Sequence, residues 1–218
     1  MATEAYIFDM DGTLMDTEVL WVDAVEAFMC KRKPAYTHQE AEALVYGRSW
    51  HDIYDDMMAM LPGCEMPIAA VEAEMAPLYQ AMESKRDVRI HQSIDLLKDL
   101  ATRHPVCIVS GSSRKMIAAN IEKMGIGHAV SFYLGAEDYS PGKPDPACFL
   151  MAAERLGVAP KACLVFEDSE AGVLGARRAG MRAVAFARDG ALSQDFSVAD
   201  LVLSDLSEFD PAMLGEGG

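Results

Sequence analysis

The feature that most constrains the fold of this chain is a series of short apolar runs separated by segments with helical periodicity. The runs lie at residues 4–9, 106–109, 132–134, 162–166, 182–186 and 201–203. Runs of this length and uniformity are typical of strands that are buried on both faces. Because they alternate with helices, we predict an α/β fold, a Rossmann-like parallel sheet core with helices on both faces.

The segment from residue 16 to residue 88 is different, because it contains no convincing strand pattern. Large side chains in its middle recur at helical spacing, namely Trp50, Ile53, Tyr54, Met57, Met58 and Leu61. Further helical patterns cover residues 17–33 and the residues after Pro67. We therefore predict that residues 16–88 form an all-helical cap domain, inserted into a catalytic core made of residues 1–15 and 89–218.

The charge and the cysteines exclude several classes of protein. The formal net charge of −15 opposes binding to nucleic acid and to anionic membranes. The sequence shows no secretory signal and no apolar stretch near the length of a membrane helix. None of the five cysteines forms a C-x-x-C pair, so we expect free thiols in a reducing compartment. The expectation is a cytoplasmic monomer whose partner is a small phosphorylated metabolite.

Polar residues stand where three of the predicted strands end. They are Asp9 with Asp11, Ser110 with Gly111, and Glu167 with Asp168. The carboxyl ends of parallel strands meet at one edge of a sheet, where function usually gathers. The four acids would repel one another without a cation between them, and oxygen ligands suit Mg²⁺. The alternative is that these acids cap helices or lie on solvated loops.

Two further elements predict a site for an anion. Ser110, Gly111 and Ser112 lie between a strand and a helix, where a hydroxyl and main-chain N–H groups can hold a phosphate. Lys143 lies in the sequence PGKPDP, whose prolines and glycine would fix its position. Taken singly, the first element is also typical of a helix cap, and the second of a solvated lysine.

These residues together resemble the haloacid dehalogenase superfamily. The first motif of that superfamily, D-x-D-G-T, corresponds to residues 9–13, and its second, a closing Ser or Thr, to Ser110. The third is a lysine before proline, here Lys143, and the fourth is an acidic pair, here Glu167 and Asp168. The segment 16–18 (DTE) and the helical insert are similar to the beta-phosphoglucomutase-like branch of phosphatases and phosphohexomutases.

The resemblance implies a Mg²⁺-dependent reaction. Asp9 would attack phosphorus and form an aspartyl-phosphate, and Asp11 would act as general acid and then as general base. The ion would be held by the Asp9 carboxylate, the main-chain carbonyl of Asp11 and Asp168, with Glu167 acting through water. Ser110, the nearby amides and Lys143 would stabilise the charge of the phosphoryl group.

The resemblance leaves three functions to weigh: a phosphatase acting on a sugar phosphate, a phosphohexomutase, and a non-catalytic binding protein on the same fold. Mutases of this branch carry a cap histidine and a cap arginine where this chain has Trp21 and Trp50. Both departures favour the phosphatase, although Arg48 could partly substitute for the missing cation. We predict that Trp21, Arg48 and Trp50 contact the substrate, while Trp21 could instead serve only to pack the cap.

Overall fold

The computed structural model describes residues 2–46, 50–188 and 194–215. The chain divides into two compact units. The first, the core unit, comprises Met1–Met15 and Arg89–Gly218, and the second, the helical unit, comprises Asp16–Val88.

The core unit is built on one six-stranded parallel sheet. Its strands are β1 (Ala5–Phe8), β2 (Val106–Val109), β3 (Phe132–Leu134), β4 (Cys163–Glu167), β5 (Arg182–Phe186) and β6 (Leu201–Leu203). Their order in the sheet is β3-β2-β1-β4-β5-β6. In this order the chain turns from one side of β1 to the other, which creates a crevice at the carboxyl ends of β1, β2 and β4. The predicted fold class is confirmed.

Both faces of the sheet are covered, which explains why its strands read as uninterrupted apolar runs. The helices of this unit are α5 (His91–Ala101), α6 (Arg114–Met124), α7 (Ala147–Leu156) and α8 (Glu170–Arg178). One face packs small and aliphatic side chains against α7 and α8, with Phe149 of α7 fully buried. The other face carries larger rings, and Phe8 stacks on Phe166 with ring centroids 4.5 Å apart.

The helical unit contains no strand among its described residues. Its helices are α1 (Glu18–Cys30), α2 (His38–Val45), α3 (Trp50–Ala59) and α4 (Ile68–Glu83). Three of them match the segments that the hydrophobic spacing predicts. The fourth, α2, has a weaker apolar pattern and begins with a capping box, in which Thr37 and Glu40 bond each other's main-chain N–H groups. The T-x-x-E signal of this box stands in the sequence at residues 37–40.

Two exclusions made from the sequence can be compared with the described residues. None of the described helices combines the length and the hydropathy that a membrane span requires. All five cysteines are free thiols, and Cys107, Cys148 and Cys163 are buried. The pKa of the Cys107 thiol is raised far above its usual value by burial, with the neighbouring Cys163 adding to the effect. This argues against a nucleophilic role for Cys107.

Candidate active site

The crevice at the strand ends places Lys143 between two carboxylates. Its Nζ donates to Asp9 Oδ1 at 2.6 Å and to Glu167 Oε1 at 2.7 Å. A third bond, to the carbonyl of Val109, is 3.1 Å long. The loop that carries Lys143 holds cis peptide bonds before Pro141 and Pro144. The solvated-lysine alternative is therefore wrong, because this ammonium is held by three separate strand ends.

Burial and charge act in opposite directions on Lys143. Burial alone would lower the pKa of the ammonium, but the negative charges of Asp9 and Glu167 outweigh it and raise that pKa well above its usual value. The lysine is therefore a permanent cation in this site.

Asp9 follows β1 and is itself buried, with 7% of its surface exposed. Its main-chain N–H donates to the carbonyl of Phe166 at 2.9 Å, which extends the pairing of β1 with β4 beyond the last strand residue. Burial raises the pKa of Asp9 to about 8, although the charge of Lys143 opposes the shift. A further positive charge beside Asp9 would lower this pKa and keep the carboxylate ionised at neutral pH.

Asp11 lies against the segment that follows β2. Its Oδ2 accepts hydrogen bonds from Ser110 Oγ at 2.8 Å and from Ser112 Oγ at 2.7 Å. The Ser112 N–H in turn donates to Ser110 Oγ at 2.9 Å. Four of the predicted site residues are thus brought together, because Gly111 lies between the two serines.

Asp168 is held by residues from two parts of the core unit. Thr13 Oγ1 donates to Asp168 Oδ1 at 3.0 Å, and Gln194 Nε2 donates to the Asp168 carbonyl at 3.0 Å. Gly12 has φ of +95°, and a Cβ built on it would lie 1.9 Å from Asp168 Oδ2. Position 12 therefore requires glycine both for its backbone conformation and for the space that the Asp168 carboxylate occupies.

Glu167 is the last residue of β4, and its two oxygens have different partners. Oε1 accepts from Lys143, while Oε2 accepts from the N–H of Ser169 at 2.7 Å and from its hydroxyl at 2.8 Å. A Cβ on Gly172 would lie 1.8 Å from the carboxylate, so the first turn of α8 leaves room for it. In this geometry Glu167 holds Lys143, and its water-mediated role at a metal stays a prediction.

The four acids of the crevice contact the protein's own groups. Lys143 lies between Asp9 and Glu167, and Asp11 faces the two serines, so their role as metal ligands stays a prediction. Among the described residues, three side-chain ligand atoms within 4.8 Å of one another are offered by Asp23, Glu26 and His38 in the helical unit. There His38 Nδ1 lies 2.7 Å from Glu26 Oε2.

The core-unit residues nevertheless fit a hard divalent cation. The strand register pairs Phe8 with Phe166, so Asp9 and Glu167 are neighbours at the strand ends and Asp168 lies one residue beyond. Asp9, Asp168 and the carbonyl of Asp11 offer oxygen donors only, which suits Mg²⁺. A cation there would also add to the positive charge that Lys143 brings to the buried Asp9.

Two of the predicted substrate residues, Trp21 and Trp50, belong to an aromatic cluster of the helical unit. The Trp21 ring lies 5.3 Å from that of Trp50 and 4.8 Å from that of Tyr79, measured between centroids. Trp50 Nε1 donates to Glu72 Oε1 at 2.8 Å. The packing role considered for Trp21 is present, and a contact with substrate stays a prediction for both tryptophans. Arg48 lies outside the described residues.

Three residues that support the site were missed in the sequence. Thr13 belongs to the D-x-D-G-T motif, so its contact with Asp168 could have been expected. Tyr139 donates its hydroxyl to the Ser110 carbonyl at 2.8 Å, and Gln194 bonds Asp168 from 26 residues away. No local pattern marks either of these two, because their partners are set by the tertiary fold.

The sequence and the fold of this chain are similar to those of known proteins. A family model described as haloacid dehalogenase-like hydrolase matches residues 3–180. Fructose-1-phosphate phosphatase YqaB of Escherichia coli (strain K12) is 31% identical over 194 residues, covering 82% of this chain and 93% of that protein. Hexitol phosphatase A of the same organism is 28% identical over 211 residues, covering 95% and 94%.

A solved structure with the same fold is that of beta-phosphoglucomutase from Clostridium difficile. It superposes with a TM-score of 0.73 at 23% identity and covers 98% of each chain. The match to the family model spans well over half of the sequence, and the resemblance noted from the motifs is confirmed. The chain belongs to the haloacid dehalogenase-like hydrolase family.

Proposed function

We propose that this protein is a Mg²⁺-dependent phosphatase that hydrolyses a small phosphate ester, a sugar phosphate, through an aspartyl-phosphate on Asp9. The observation that carries the proposal is the Lys143 ammonium, held 2.6 Å from Asp9 and 2.7 Å from Glu167 in a buried crevice. A buried lysine beside a carboxylate at a strand end neutralises negative charge where a phosphate would have to bind.

Asp9 is the nucleophile in this proposal. One of its oxygens is held by Lys143, which leaves the other to attack phosphorus. The bond from phosphorus to Asp9 forms as the bond to the leaving oxygen breaks, and water later releases inorganic phosphate from the aspartyl-phosphate.

Asp11 serves the leaving group. It would donate a proton to the departing oxygen and later take one from the attacking water. Its contacts with Ser110 and Ser112 tie this proton-transferring carboxylate to the segment that binds phosphate. When bound, Mg²⁺ held by Asp9, Asp168 and the Asp11 carbonyl would offset the negative charge of the phosphoryl oxygens.

The relatives' names favour the phosphatase over the mutase, since the two curated proteins reported above are phosphatases and the similar mutase structure informs only on the fold. Residues 16–88 are proposed to be the cap that selects the substrate, with Trp21 and Trp50 as candidates for contact with a sugar ring. The non-catalytic alternative is opposed by the bond between Lys143 and Asp9 and by the nearness of Asp11, whose charge acts on Asp9.

A panel of sugar phosphates incubated with purified protein and Mg²⁺ tests the proposal. Release of inorganic phosphate from at least one ester supports it, with Asp9→Asn as the matched inactive control. Isomerisation of a sugar phosphate without release would indicate the mutase. Identical behaviour of wild type and Asp9→Asn on every ester would indicate a non-catalytic protein.

A further inference from the structure

Tyr139 makes a contact that the proposed reaction does not yet use. The residue lies in the segment after β3, where its ring packs against the buried cluster of the core unit. Its hydroxyl donates to the main-chain carbonyl of Ser110 at 2.8 Å. Because burial raises the pKa of Tyr139 to about 12, the hydroxyl keeps its proton and remains a donor at every working pH.

The hydrogen bond from Tyr139 fixes the direction in which the Gly111 N–H points. The carbonyl of Ser110 and the N–H of Gly111 belong to one planar peptide group, and in a trans peptide they point in opposite directions. When Tyr139 holds the carbonyl on one side, the Gly111 N–H must point to the other side, away from the tyrosine.

The other peptide groups of the same segment have partners of their own. The Ser110 N–H donates to the Leu134 carbonyl at 3.1 Å. The Ser112 N–H donates to Ser110 Oγ at 2.9 Å, and the Ser112 carbonyl accepts from the Ala136 N–H at 2.9 Å. For the peptide between Ser110 and Gly111 the partner is a side chain, that of Tyr139. Removing one hydroxyl group would therefore release this peptide while the flanking ones stay held.

No side-chain packing from the described residues restrains the backbone conformation of Gly111. It is exposed, and no atom lies within 4 Å of a Cβ built on it. A glycine in open space samples more backbone conformations than any other residue, so an outside restraint has a large effect on it. A cavity of about 420 Å³ lined by Gly111, Tyr139 and Lys143, with Ala136 and Gly142, gives the peptide room to turn.

We infer that Tyr139 is a positioning residue whose hydroxyl aims the Gly111 N–H at the phosphoryl group. The inference rests on the proposed function, because it takes the segment 110–112 as the phosphate site. An amide aimed in advance stabilises developing negative charge without having to reorganise during the reaction.

The test is Tyr139→Phe, which removes only the hydroxyl. The matched control is Tyr54→Phe in the helical unit, where the lost hydroxyl also donates to a main-chain carbonyl, that of Met66 at 2.7 Å. Both variants should lose a similar amount of thermal stability. We expect kcat of Tyr139→Phe to fall about tenfold, the worth of one hydrogen bond, while Tyr54→Phe keeps the wild-type kcat.

A second readout does not depend on turnover. Inorganic phosphate is titrated into ¹⁵N-labelled protein with Mg²⁺, and the Gly111 amide resonance is followed. The wild-type resonance should shift on binding, and in Tyr139→Phe the shift should shrink and the affinity for phosphate fall about tenfold. Tyr54→Phe should match the wild type.

The outcomes separate this inference from the proposed function. Wild-type hydrolysis combined with an unchanged kcat and Gly111 shift in Tyr139→Phe would overturn the role of Tyr139 alone. Absence of hydrolysis from the whole panel, with a phosphate-dependent Gly111 shift that Tyr139→Phe loses, would reject the phosphatase and keep the role in anion binding. A wild-type Gly111 resonance that ignores phosphate would overturn the inference directly.

Discussion

The core unit buries a charged cluster more deeply than any ion pair among the described residues of the helical unit. In the core unit Lys143 is 11% exposed and its partners Asp9 and Glu167 are 9% and 1% exposed. In the helical unit the pair of Lys33 and Glu40 is 40% and 43% exposed. Burying a charge costs stability unless its partners are well placed, so a buried cluster is retained where chemistry needs it. The contrast supports the proposal that the reaction belongs to the core unit.

The largest expected effect is that of removing the metal ion. It also shows which of the two units holds the ion that the reaction needs. Removing divalent ions with EDTA should abolish phosphate release, and Mg²⁺ should restore it, since a metal supplies several kcal/mol of charge stabilisation. Mg²⁺ at 100 times its Kd should also stabilise the wild type by about 2.7 kcal/mol. Calorimetric titration and thermal unfolding measure both.

One Asp→Asn substitution in each unit shows where the Mg²⁺ ion binds. Asp168→Asn should lose the stabilisation by Mg²⁺ and at least about 100-fold of the activity. Asp23→Asn removes an acid from the grouping of Asp23, Glu26 and His38 in the helical unit, and it should keep both. The reverse pattern would place the working metal in the helical unit and contradict the account.

Removal of the buried cation should have the next largest effect. Lys143→Ala leaves Asp9 and Glu167 close together without a positive partner, which should cost about 3 kcal/mol of unfolding free energy. Its kcat should fall at least about 100-fold, because a charge facing the transition state is lost. Lys33→Ala, which breaks an exposed pair, should cost less than about 1 kcal/mol and leave kcat unchanged. Urea unfolding at neutral pH and phosphate release measure the two quantities, and equal costs would remove the contrast between the units.

Two glycines with similar φ angles, one in each unit, allow a comparison in which the expected effects are smaller. Gly12 has φ of +95° and Gly63 in the helical unit has φ of +85°. Alanine at either position should cost about 1 kcal/mol in backbone strain. Only Gly12→Ala also displaces a carboxylate, that of Asp168, so it alone should weaken Mg²⁺ binding and activity. A Gly12→Ala protein with wild-type affinity for Mg²⁺ in calorimetry would contradict the placement of Asp168.

The smallest effect is a pH dependence in the helical unit. The hydrogen bond that His38 donates to Glu26 raises the pKa of His38 in the folded protein, with the charges of Glu26, Glu42 and Asp23 adding to it. The resulting stability is fully present below the unfolded pKa of about 6.5 and is lost as the pH rises through the folded pKa.

His38→Gln should remove this dependence. The side chain is 50% exposed, so screening should keep the difference below about 0.5 kcal/mol. Unfolding free energies at pH 6 and pH 8 for both proteins provide the check. A wild type that gains stability relative to the variant as the pH rises would reverse the predicted sign.

The sheet could be predicted from the sequence because a parallel strand buried on both faces leaves an unmistakable apolar run. The bounds of β2 and β5 agree with the predicted runs at residues 106–109 and 182–186. Helix α2 could not be recognised by the same argument, since its sequence HQEAEALV is mostly polar at its start. The sequence feature that marks this helix is the capping box formed by Thr37 and Glu40, and not an apolar periodicity.

In the candidate site, likewise, some residues are marked by a local sequence motif, while their contacts are set by the tertiary fold. Asp9, Lys143 and Asp168 could be predicted as site residues because each lies in a short motif whose residue types suit phosphoryl transfer. The position of Lys143 between Asp9 and Glu167 depends on the strand order, which brings β1 between β2 and β4. The contact of Tyr139 with Ser110 joins residues 29 apart through a hydroxyl and a carbonyl, and no motif encodes it.

Rapid quenching of the wild-type protein during turnover tests the central claim most directly. Acid stops the reaction, and mass spectrometry of the peptides locates any phosphoryl group that is bound to the protein. The account predicts one phosphoryl group on the carboxylate of Asp9, absent from Asp9→Asn. Turnover with no phosphorylated peptide, or with the phosphoryl group on another residue, would contradict it.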